Sequence, residues 1–229
     1  METYRRRVDN DRLMAVIGLS LMAFCVCAFA LNVVIEPEQL VRYNPMVMIH
    51  GLLMAGWLAL FSLQSWLMSD GAFARHYLFG RLSIVLVIMI IWSSTLIAIQ
   101  YTYDFQSTQR LSINSMALLR FAILYGVAIV CVLKAYTGLH RRLMLLATLI
   151  LVSPAIGHFA DALSLPEAYE TFGGIGVSII LLILFDLGSG GIRRTTPLLI
   201  IGAVLLEIAA LAIAFGPLQG ALTQIMLAA

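Results

Sequence analysis

Seven long apolar runs, separated by short polar loops, occupy almost the whole of this 229-residue chain. A chain patterned this way has few places to put its surface. A bilayer's hydrocarbon core of roughly 30 Å takes ~20 apolar residues per helical crossing. The runs fall at about 13–35, 46–68, 80–100, 116–137, 142–163, 172–188 and 197–215. Barrel strands would alternate at period two in ~10-residue pieces, and these runs do not alternate. Only 11% of residues are charged and mean hydropathy is +0.99, too little polar surface to cover a soluble globule. The longest polar stretch, 101–115, is too short to hold a core of its own. The prediction is an all-α, single-domain bundle of seven transmembrane helices whose first partner is the lipid bilayer.

Charge sets the orientation. Arg5, Arg6, Arg7, Arg12, Arg75, Arg81, Lys134, Arg141, Arg142, Arg193 and Arg194 share one side of this map, and Arg42, Arg110 and Arg120 share the other. Positive-inside bias then predicts a cytoplasmic N-terminus and a periplasmic C-terminus. The net charge of +2 is accounted for by topology, with no basic groove interleaved with aromatics for nucleic acid. Arg5 to Arg7, the apolar stretch and Ala28-Phe29-Ala30 have the outline of a signal peptide. The run continues to Ile35, longer than a usual signal core, so a retained first helix is expected.

Punctuation follows the same plan. Glu36-Pro37-Glu38, Asn44-Pro45, Pro166 and Gly188 to Gly191 separate helices. Pro154 should kink helix five, and Pro197 suits the first turn of helix seven. Gly173, Gly174 and Gly176 would let a neighbour approach helix six closely. Trp66, Tyr77, Tyr101, Tyr103 and Tyr136 read as interfacial belts, Trp57 and Trp92 as core. Cys25, Cys27 and Cys131 lie in apolar runs without a CxxC pair and read as buried small hydrophobes. The one lysine, Lys134, is not inside the last helix, which excludes a retinal protein; no GxSxG, HExxH or Walker loop occurs.

Polar groups at membrane depth need a partner or a purpose. His76 and His140 open helices three and five on the cytoplasmic side, in two similar hairpin ends that suggest a faint internal repeat. His50 opens helix two on the other side, and His158 follows His140 by ~27 Å of helix. The four therefore form an inner pair and an outer pair. Neutral imidazoles from facing helices are the axial ligands of a b-type haem. Arg75, Arg81, Arg141 and Arg142 are candidate partners for its propionates. This ligand placement is similar to the cytochrome b561 arrangement, which implies haem b, electron transfer and a redox partner. Helix four departs from that arrangement, having Arg120 where a histidine is expected. His50, His158 and Asp161 form a second candidate, an open three-ligand zinc site. That set is similar to the ceramidase and progestin-receptor-like membrane hydrolases, whose HxxxH pair is absent here. Glu207, midway along helix seven, is a third: it must be protonated or paired, and Arg120 is its expected partner. That pair fits a small-solute or ion carrier, or an accessory subunit within a membrane complex.

Three segments also carry a resemblance of another kind. His50 through Gln64 into His76 and Gly80-Arg81, His140-Arg-Arg-Leu-Met-Leu-Leu-Ala-Thr148 with Pro154, and Phe185-Asp186-Leu187 with Arg193, Arg194 and Pro197 together resemble an uncharacterised family of bacterial seven-span inner-membrane proteins. The resemblance covers roughly residues 46–215 and implies a fold and a location. The family usually has arginine where His158 stands and histidine where Thr196 stands.

Overall fold

The computed structural model describes residues 2–35, 37, 44–105, 108–166 and 168–216; for 2–7, 104, 105, 108–110, 168, 170 and 171 it describes the backbone alone. Arg42, Glu36 and Glu38 lie outside the described residues, as do the side chains of Arg5, Arg6, Arg7 and Arg110. Seven α-helices and, among the described residues, no strand make up the chain: α1 (Glu2–Ile35), α2 (Pro45–Ser69), α3 (Phe73–Phe105), α4 (Thr108–Leu133), α5 (Thr137–Ala162), α6 (Ala168–Gly188) and α7 (Thr195–Ala214). Six of them, all but α6, are long and apolar enough to cross a bilayer, which makes this a multi-pass membrane protein. The corresponding apolar segment of α6, Phe172–Gly188, is shorter.

The helices form a ring around a centre. In order of contact the ring runs α1, α2, α3, α4, α7, α6 and back to α1, with α5 inside it against α1, α4 and α6. The sequence of α5 suits that place: Leu143, Leu145, Leu146, Ala147, Thr148, Leu149, Leu151 and Val152 are all buried, so nearly every side of the helix is covered. α5 continues unbroken through Pro154. Its buried Thr148 receives the Trp57 indole N–H at 3.2 Å, and Trp57 packs edge-on against Phe121 at 5.4 Å. Trp57 is thus core, as expected. Trp92 is not: α3 packs mainly against α2 and α4, and Trp92 lies on its exposed apolar face with Ile88 and Met89. Cys131 is buried but Cys27 is exposed, because outer helices of a ring keep one apolar side for lipid.

The two hairpin ends share one backbone turn. Gly71 (φ 69°) and Ala135 (φ 62°) end α2 and α4 in the left-handed conformation. Ala72 N–H donates to the Leu67 carbonyl at 2.8 Å and Tyr136 N–H to the Cys131 carbonyl at 2.8 Å, the long bond of a Schellman turn in each hairpin. Each of these bonds recurs 64 residues later, as His76 recurs at His140. The same turn ends α4 at Leu133, several residues short of the expected span to 137, because the left-handed Ala135 breaks the helix.

Close approach decides two of the three α6 glycines. A Cβ on Gly173 would meet Ile156 at 3.0 Å, and one on Gly174 would collide with Ser153; Gly176 faces open space. α5 and α6 therefore pack nearly backbone to backbone beside Ser153.

Candidate functional site

The membrane depth of the bundle holds one ion pair among the described residues. Arg120 of α4 reaches Glu207 of α7, the partner expected for it, through an Nη1 to Oε2 hydrogen bond. The pairing follows from the ring, since α4 and α7 are neighbours there. Arg120 Nε also leans toward the Met116 carbonyl at 3.4 Å. The pair lines a cavity of about 30 Å³ together with Ser153, Ser178 and Gly174. Such a space has room for one or two waters. The two serines present their hydroxyl oxygens as acceptors, because each donates its proton to its own helix: Ser153 to the Leu149 carbonyl at 3.3 Å and Ser178 to the Gly174 carbonyl at 2.7 Å. A carboxylate, a guanidinium, two hydroxyls and a water-sized void form a site that can hold and exchange a proton. Ser153 and Ser178 were not singled out from sequence; a serine on an apolar helix is a common backbone hydrogen-bonder, and only the packing of four helices shows that these two share a cavity.

A second polar node lies at the end of the bundle where α5 begins. Asp186 of α6 is fully buried and accepts four hydrogen bonds. Arg142 Nε and Nη2 reach its Oδ1 at 2.8 and 2.5 Å, and the Arg193 N–H (2.9 Å) and the Thr196 hydroxyl reach its Oδ2. Arg142 Nη1 donates to the Gly138 carbonyl at 2.7 Å. Residues from all three chain segments around HRRL, FDL and the loop before α7 meet here, and Thr196 is one of the donors. Beside this node Arg141 pairs with the buried Asp11 of α1 at 2.6 Å.

The inner histidines are matched. His76 Nδ1 meets the Gln64 carbonyl at 3.2 Å and His140 Nδ1 meets the Ala128 carbonyl at 2.9 Å, each 12 residues upstream on the preceding helix. A carbonyl can only accept, so in both rings Nδ1 carries the proton and a neutral ring keeps its lone pair on Nε2. The two imidazoles share an electrostatic neighbourhood with Arg141. That donor set fits haem ligation, since ligating histidines usually hand their other N–H to a carbonyl. The propionate partners fit less well. Arg142 is committed to Asp186 and Arg141 to Asp11, which leaves Arg75 and Arg81 of the four. Neither the cavity at Glu207 nor the cleft beside Arg193 is lined by His76 or His140.

The outer histidines serve different neighbours. His50 Nδ1 shares a hydrogen bond with Ser93 Oγ of α3 at 3.0 Å, and Ser93 Oγ lies 3.1 Å from the Ile90 carbonyl. His158 packs its ring against Phe29 of α1, centroids 4.9 Å apart. Asp161 is exposed at the end of α5. Among the described residues no three His, Cys, Asp or Glu side chains gather closely enough to hold a metal ion. Comparison with family models, curated proteins and solved structures finds no match to this chain.

Proposed function

We propose that this chain is a seven-span protein of the bacterial inner membrane, N-terminus in the cytoplasm and C-terminus in the periplasm, that moves a proton or small ion along a path through Glu207. The uneven lysine and arginine distribution supports the orientation. Membership of the seven-span bacterial family belongs to the same proposal. One observation carries the activity: an ion pair at membrane depth that borders a water-sized cavity instead of being sealed in apolar packing. A proton from the solvent, relayed by a water in that cavity, reaches the Glu207 carboxylate, and the water is left neutral. Neutral Glu207 releases Arg120, and the Ser153 and Ser178 oxygens are the acceptors next to the freed guanidinium. Loss of the proton restores the pair. The test is proton entry into vesicles carrying the purified protein and an internal pH dye, driven by a potassium diffusion potential. The wild type should acidify the lumen faster than protein-free vesicles, and Glu207→Gln should fall back to the protein-free rate. Equal rates for wild type and empty vesicles would sink the proposal.

A second reading, a b-type haem held by His76 and His140 for membrane electron transfer, is favoured by the matched Nδ1 to carbonyl bonds. Haem would supply one-electron chemistry there; the chain supplies two Nε2 lone pairs. Protein made with ample haem should then show a Soret band that shifts on reduction and disappears in His76→Ala and in His140→Ala. A colourless preparation rules this reading out.

A further inference from the structure

The cavity beside Glu207 limits what can bind there. Its volume is about 30 Å³, and among its lining residues Glu207, Ser153 and Ser178 are the ones that carry side-chain oxygen. The nearby backbone oxygens are already in use, since Ser153 donates to the Leu149 carbonyl at 3.3 Å and Ser178 to the Gly174 carbonyl at 2.7 Å. Leu124, Leu146, Ile150 and Leu206 supply apolar wall. Gly174 brings the two hydroxyls to this space: a Cβ there would collide with Ser153, and its own carbonyl holds Ser178.

A proton and a metal cation make different demands on such a site. Either one adds a positive charge beside Arg120, so charge alone does not separate them. Coordination does. A hard cation stripped of its water takes about six oxygen ligands in exchange. The lining side chains offer two carboxylate oxygens and two hydroxyl oxygens. A space of this size adds one or two waters at most, and the cation itself would fill part of it. The cation must also displace Arg120 from Glu207. The freed guanidinium then needs the Ser153 and Ser178 oxygens, the same ones the cation needs. Whichever goes without is a charge left unpaired at membrane depth, which is heavily penalised. A proton instead forms an O–H bond on the carboxylate and asks for no ligand shell, so both hydroxyls stay with Arg120.

We infer that the Glu207 site takes a proton and excludes sodium and other alkali-metal cations, and that Arg120 sets this choice by claiming the hydroxyl oxygens. The inference rests on the reading of Glu207 as the ion-carrying group, and it names the ion. It also states what the guanidinium prevents. In Arg120→Gln the carboxylate has no charged partner, and the two hydroxyls and the amide oxygen are free to join it around a cation. The shorter side chain enlarges the cavity as well.

The test uses the full-length protein in vesicles with potassium inside, valinomycin in the membrane, and either sodium or N-methylglucamine outside. Internal pH and uptake of radioactive sodium are read in parallel. Wild type should acidify the lumen equally in both media and take up sodium no faster than protein-free vesicles. Arg120→Gln should take up sodium about tenfold or more faster than wild type, and adding Glu207→Gln to it should abolish that uptake. An elution profile like that of wild type shows that each variant is folded, and the wild-type measurement needs no variant at all. Sodium uptake by wild type that is lost in Glu207→Gln leaves Glu207 as the ion carrier and overturns the selectivity for protons. A folded Arg120→Gln that takes up no more sodium than wild type overturns the role given to Arg120. Entry of neither proton nor sodium through wild type sinks the reading of Glu207 itself, and this inference with it.

Discussion

The buried Asp186 and the half-buried Glu207 are both paired with arginine, yet they are built for different tasks. Asp186 is 0% exposed and receives donors on both oxygens from three residues. Glu207 is 17% exposed, has Arg120 as its partner, and borders a cavity. A charge saturated with fixed donors resists protonation and movement, because every alternative leaves a buried group unpaired. A charge with one long-armed partner and a neighbouring void has somewhere to go. The first arrangement joins α5, α6 and the start of α7; the second links α4 to α7 through a single ion pair.

The contrast can be broken most forcefully at Asp186. Asp186→Ala strands Arg142 in the interior and should cost about 3–5 kcal/mol, the range for breaking one side of a buried pair. Thermal unfolding in detergent reads this directly, and a melting temperature equal to wild type would mean the node is not a clamp. Thr196→Val preserves shape and removes one donor to a charged acceptor, so a loss of about 1.5–3 kcal/mol is expected in the same assay. Glu207→Gln should have the smallest effect on stability, about 1 kcal/mol, since the amide oxygen still accepts from Arg120 and the pair is partly accessible. Its effect should appear in the vesicle assay instead. If Glu207→Gln unfolds the protein as Asp186→Ala does, the two carboxylates have the same structural role and the distinction drawn between them fails.

Much of this was legible beforehand because lipid imposes a simple rule on polar groups. Glu207 and Arg120 stand out inside apolar runs, and each is costly alone, so their pairing could be anticipated from chemistry before contact was known. The histidines were equally visible, but their grouping was not. His76 and His140 fall into register because two hairpins end in the same turn; His50 meets Ser93 of α3, and His158 packs against Phe29 of α1. Trp92 and Cys27 show the same gap. An apolar helix gives no sign of which face meets protein, since lipid and core are equally apolar, and both residues proved to be on the outside. Arg142 was expected to serve a ligand and is instead held by Asp186, a residue 44 positions away.

The order of residues by itself determined seven helices, their approximate limits and the residues too polar to be left alone in a membrane, because hydrophobic length and the cost of unpaired charge are local properties. Only the tertiary structure decided that α5 would be encircled by the other six, and that Glu207 would sit beside a void while Asp186 is enclosed. Those outcomes depend on which faces pack together, and packing between equally apolar surfaces is settled by shape, by small residues such as Gly174, and by a few long-range hydrogen bonds.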